Sequence, residues 1–81
     1  MKLPRDLDAA DLIRALHRIG YRTVRQTGSH VRLQADAPKS HALTVPNHAP
    51  LKVGTLAAIL ADAAMHQEIS REELLARLLG L

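Results

Sequence analysis

The stretch RQTGSHVRL, residues 25 to 33, sets His30 between Arg25 and Arg32, beside Gly28 and Ser29. Histidine is the side chain whose ordinary pKa lies nearest neutrality, so it can accept or donate a proton under physiological conditions. Arginine is a permanent cation whose forked donors match phosphate oxygens. Three roles are open to His30: catalytic base, metal ligand, or polar residue on the solvent side of a strand. Downstream, His48 adds a second proton-transfer group. Lys52 adds a cation near the start of a helix, where the backbone also attracts anions.

The metal role is the weakest of the three. The chain contains no cysteine, which excludes thiolate zinc sites, cysteine nucleophiles and disulfide frameworks. His41 and His48 could join His30, but no carboxylate set or familiar ligand spacing accompanies them. No metal and no cofactor is expected. His17 and His66 read as helix-surface residues.

The formal net charge of +3 is unevenly spread. Between residues 12 and 52, five arginines (14, 18, 22, 25 and 32) with Lys39 and Lys52 face Asp36 alone, and the flanking segments are net acidic. Such a field implies either a polyanionic partner or a solubilising face.

These residues must be positioned by a small domain. At 81 residues, 47% hydrophobic and 23% charged, without repeats or low-complexity tracts, residues 1–81 read as one folded domain with a small core. Asp8 and Asp11 form a capping arrangement. Leu12, Ile13, Leu16 and Ile19 then recur at helical spacing, predicting a helix over about 9–19 that stops at Gly20. Arg14 and Arg18 line another face of it.

After Gly20 the period becomes two. YRTVRQ and SHVRLQ flank Thr27-Gly28, predicting a hairpin in which Arg25 pairs with His30, Val24 with Val31 and Thr23 with Arg32. Val24, Val31 and Leu33 then share the inner face, while Thr23, Arg25, His30 and Arg32 share the open one, and Tyr21 falls on the polar side against the pattern. ADAPKS forms a second hairpin loop. HALTV follows as a third strand, with Leu43 and Val45 inward, and Pro46 ends it.

Thr55 is placed to cap a second helix carrying Leu56, Ile59, Leu60 and Ala63 on one face. Ser70 with Glu73 opens a third, with Leu74, Leu75, Leu78 and Leu79 apolar. The fold class expected is α+β, αβββα(α): a three-stranded antiparallel sheet with helices on one face. This is also the element order of the double-stranded-RNA-binding domain.

The helix ending in GY, then VRQTGSH, LTVPNH and VGTLAAIL, occurring in order over nearly all of residues 7–65, resembles the HicA-type toxins, also called the YcfA-like family. These are small ribosome-independent mRNA interferases of bacterial toxin–antitoxin pairs. The resemblance implies a double-stranded-RNA-binding-like fold, endoribonuclease activity resting on the histidine of the Gly-Ser-His motif, here His30, and a HicB-type antitoxin that covers the site. Members often carry Lys or Arg in the helix after Gly-Thr-Leu, where this chain has Ala57, Ala58 and Asp62.

RNA can be cut without metal because its 2′-hydroxyl can attack the adjacent phosphorus, given a base, an acid and positive charge. Positioned proton transfer contributes about 10²–10⁴ in rate. His30 is the expected base, and Arg25 and Arg32 would favour its neutral form and contact phosphate. Ser29, His48 and Lys52 complete the expected RNA-binding set, and Gly28 is expected to serve the turn.

Tyr21 is the only aromatic residue, so base-stacking platforms are excluded. Recognition should then rest on backbone charge and 2′-hydroxyls, with strong salt dependence. The rivals are a non-catalytic RNA-binding module of the same fold, a helix-turn-helix and a plain interaction domain. The helix-turn-helix lacks a basic recognition surface, since LAAILADAAM is followed by acidic QEISREE. The longest apolar run, LAAIL, is far below the roughly 20 residues that span a bilayer, and no signal peptide is legible; a cytoplasmic protein is expected.

Overall fold

A computed structural model describes residues 7–79, with Leu79 described by its backbone alone. The two ends of the expected 1–81 domain, and the expected packing of Leu79, lie outside the described residues. The element order is α1 (Ala9–Arg18), β1 (Arg22–Thr27), β2 (His30–Ala35), β3 (His41–Pro46), α2 (Val53–Gln67) and α3 (Arg71–Leu79). The strands form one antiparallel sheet in the order β1-β2-β3, and the fold is the expected α+β arrangement.

Alternation along β2 and β3 builds the core. Val31, Leu33, Ala35, Leu43 and Val45 point to the inner face and are buried. Against them pack Leu12 and Leu16 of α1, Leu56, Ile59, Leu60 and Ala63 of α2, and Leu74, Leu75 and Leu78 of α3. Each set recurs at the helical spacing that gathers apolar side chains on one face. Helix α1 starts where the Asp8 amide donates to the Asp11 carboxylate at 3.2 Å, and α3 starts where the Glu73 amide donates to the Ser70 hydroxyl at 3.0 Å.

Three local expectations are corrected. The hairpin loop is Gly28-Ser29, not Thr27-Gly28: Thr27 pairs with His30, Gln26 with Val31 and Arg25 with Arg32. A two-residue hairpin turn of either primed type needs a positive φ at its first central position, and Gly28, at φ 54°, supplies it.

The register then shifts between Thr23 and Arg25, and Thr23 pairs with Leu33. This bulge inserts Val24 as an extra residue and reverses the parity of the strand before it. Val24 is consequently 49% exposed rather than inward, and Tyr21 is 2% exposed in the core rather than on the polar side. Helix α2 begins at Val53 with Lys52 as its N-cap, so Thr55 lies inside the first turn rather than capping it.

Candidate functional site

The Gly28-Ser29 turn delivers His30 to the first position of β2 on the open face of the sheet. His30 is exposed, and its one neighbour by hydrogen bond is the Ser29 hydroxyl, 3.4 Å from Nδ1. Nε2 has no partner among the described residues. Arg25 lies directly opposite Arg32, not opposite His30 as the expected register had it, and diagonally from His30 on the same face. Like charges facing across a ladder are destabilising. Neither arginine has an acidic partner among the described residues; Arg32 reaches only the Thr44 hydroxyl, at 3.4 Å.

His48 comes to the same end of the sheet by a chain of backbone bonds. His30 pairs with Pro46, and one step further the Asn47 amide donates to the Ser29 carbonyl at 2.6 Å. The His48 amide turns back onto the Pro46 carbonyl at 2.9 Å, and the His48 carbonyl accepts from Ala9, the first residue of α1, at 3.0 Å. The His48 side chain stays exposed. Buried Leu51 anchors the connection, its amide donating to Leu7 at 2.8 Å, and Lys52 follows, exposed at the start of α2. Ser29, His30 and the backbone of His48 therefore lie at one end of the β2–β3 ladder, with Arg25 and Arg32 two residues along it on the face of His30, while Lys52 follows on the connection that leads into α2. This end of the ladder offers two arginines and an exposed imidazole, with a second exposed imidazole on the adjoining connection, groups able to hold a phosphodiester and to move protons. Among the described residues no cluster of three His, Asp or Glu has the geometry to hold a metal ion.

A second polar cluster lies at the opposite end, and the sequence reading passed over it. Alternation along β3 puts His41 on the inner face with Leu43 and Val45. Tyr21, turned inward by the bulge, meets it there, its hydroxyl 2.8 Å from His41 Nδ1. On the far side of the ring, Nε2 lies 3.2 Å from the Asp62 carboxylate of α2. The carboxylate can only accept, so Nε2 carries the proton, Nδ1 accepts in the neutral ring, and the tyrosine hydroxyl donates.

His66, one helical turn after Asp62, stacks on His41 with ring centroids 4.4 Å apart and planes within 11°, and its Nε2 approaches the Ala37 carbonyl at 3.3 Å. It is thus a partly buried seam residue rather than a simple surface one. Burial, then the nearby Asp62 charge, push the Tyr21 hydroxyl up to about 12, with Gln67 pulling weakly the other way. The buried Gln67 Nε2 closes no hydrogen bond with any described residue. The parity of HALTV together with His66 four residues beyond Asp62 was the available signal, but only the bulge brings Tyr21 to them.

Compared with known families, residues 9–65, well over half of the chain, match the profile described as the HicA toxin of bacterial toxin–antitoxin. No curated protein and no solved structure matches.

Proposed function

The chain belongs to the HicA toxin family of bacterial toxin–antitoxin systems, and from that premise we propose that it is an mRNA interferase cutting RNA by metal-free acid–base chemistry. His30 takes the proton of a 2′-hydroxyl through its unpartnered Nε2 as the oxygen attacks phosphorus. The products are a 2′,3′-cyclic phosphate and a 5′-hydroxyl. Arg25 and Arg32 hold the phosphate, Lys52 and the α2 amino terminus the neighbouring backbone, and Ser29 and His48 hydrogen-bond at the cleavage position. A HicB-type antitoxin covers this end and silences it, and the toxin acts on mRNA in the cytoplasm. No helix among the described residues is long and apolar enough to cross a membrane.

The single observation carrying this reading is the facing pair Arg25 and Arg32 beside an exposed histidine. Two unpaired cations placed opposite each other cost stability unless an anion sits between them. They are understandable as a phosphate clamp. The test is incubation of RNA with purified protein in excess chelator, wild type beside His30→Ala. Cleavage by wild type and none by a folded His30→Ala is the expected outcome, and equal cleavage by both refutes the assignment.

A second reading, a non-catalytic RNA-binding module, draws on α2. Beyond Lys52 the helix has no lysine or arginine, and Ala58 and Asp62 stand exposed on it. Asp62 is engaged with His41, which gives it a structural reason to be there. Salt-sensitive RNA binding with no cleavage product, by a wild-type protein, would favour this second reading.

A further inference from the structure

We infer that His48 is the general acid of the proposed cleavage, protonating the departing 5′-oxygen while His30 takes the 2′ proton. The inference rests on the ribonuclease reading above and names its missing partner. In-line displacement puts the entering 2′-oxygen and the leaving 5′-oxygen on opposite sides of phosphorus, so one histidine on one side cannot serve both. A second proton-transfer group is needed on a separate segment, beside the first and held still.

His48 stands on a separate segment whose backbone adjoins that of His30 and is held in place. Its segment continues the β2–β3 ladder past the His30 and Pro46 pair through the 2.6 Å bond from the Asn47 amide to the Ser29 carbonyl. Its own amide and carbonyl are both occupied, by Pro46 at 2.9 Å and Ala9 at 3.0 Å, so the backbone under the ring is pinned to both β3 and α1. The side chain above that backbone is exposed and makes no hydrogen bond with any described residue. The other histidines are committed elsewhere: His17 to Thr23 at 3.0 Å, and His41 and His66 to the seam at the far end. The other candidates named among the described residues, the Ser29 hydroxyl, the guanidinium groups of Arg25 and Arg32 and the ammonium of Lys52, belong to types that are poor acids near neutral pH.

The proton balance closes. The 2′-oxygen to phosphorus bond forms as the phosphorus to 5′-oxygen bond breaks. The 2′ proton moves to His30 and the His48 proton moves to the 5′-oxygen. His30 ends protonated and His48 neutral, and exchange with water resets both.

A leaving group that needs no proton separates this role from binding. The experiment compares an oligoribonucleotide carrying one 5′-bridging phosphorothiolate, whose leaving sulfur departs as a thiolate, with its all-oxygen counterpart. Wild type, His48→Ala, His48→Gln and His30→Ala are each assayed across pH. On the oxygen substrate both His48 variants should lose about 10²–10⁴ in kcat and the alkaline fall of the pH profile; on the sulfur substrate they should stay near wild type. His30→Ala should fail on both. Equal loss by the His48 variants on both substrates, or loss on neither, overturns the acid assignment while leaving the ribonuclease reading intact. Absence of wild-type cleavage of either substrate overturns both. The side chain of His48 is exposed, so circular dichroism of His48→Gln should match wild type.

Discussion

At one end of the β2–β3 ladder, His30 and His48 are exposed and their rings are almost uncommitted. At the other, His41 is bonded at both ring nitrogens and stacked on His66. The two ends are roughly 17 Å apart along β2 and lie on opposite faces of the sheet. Helix α2 starts from its N-cap Lys52, on the connection that follows His48, and brings Asp62 and His66 near its end to the second. The same residue type is thus used in two ways. Where both nitrogens are engaged, the imidazole is a structural link whose proton has a fixed place; where one remains open to solvent, it can exchange a proton with a substrate.

The sharpest way to break this division is to cross the two ends. His30→Ala should abolish cleavage, a loss of at least about 10²-fold, with no change in the urea midpoint. His41→Ala should do the reverse, costing about 1–3 kcal/mol by leaving the buried Tyr21 hydroxyl without its acceptor, with cleavage unchanged well below the melting temperature. If His41→Ala removed cleavage from a fully folded protein, the seam would belong to the active end and the division would fail.

How much of this was legible in the sequence follows from how local each feature is. The helices were readable because their apolar spacing and the Asp8 and Ser70 starts are properties of a few consecutive residues. The strands were readable for the same reason, and the cations of the open face came with them. The register was not, because alternation fixes parity and leaves a two-residue shift unseen; only the φ demand of the turn at Gly28 decides it. The bulge at Val24 was equally hidden. An apolar Val24 and a polar-side Tyr21 were the two residues out of step with the structure, and one inserted residue explains both. The proximity of His48 to His30 depends on backbone bonds between segments far apart in sequence, which no periodicity encodes.

Tyr21 offers a direct gauge of the seam, because it is the only tyrosine in a chain without tryptophan, and absorbance near 295 nm follows it alone. Its hydroxyl is held neutral by burial and by Asp62 up to about 12, against 10.0 for the unperturbed group. A raised folded-state pKa favours the protonated form in the native protein. The corresponding stability is fully present below pH 10 and is lost as pH rises from 10 towards 12, amounting to about 3 kcal/mol. The ultraviolet titration should therefore have its midpoint near 12 in the wild type and move down in His41→Ala. A midpoint near 10 in the folded wild type would mean that the seam is open to water.

The smallest effect belongs to Gly28, where the two uses of the molecule are hardest to tell apart because the turn and the chemistry adjoin. A Cβ added there meets nothing within 4 Å, so crowding cannot explain the glycine. Its φ of 54° can: an L-residue in this region costs about 1 kcal/mol. The chain already accepts a side chain at a similar angle in Glu68, at φ 58°, so the penalty is bearable. Gly28→Ala should thus lower stability by about 1 kcal/mol and Gly28→Asn by less, since asparagine tolerates the left-handed region, with cleavage by both within a few-fold of wild type. A large loss of cleavage in either variant without the stability change would assign Gly28 a different task, close backbone approach to the RNA, and would extend the working end of the molecule by one residue, from Ser29 to Gly28.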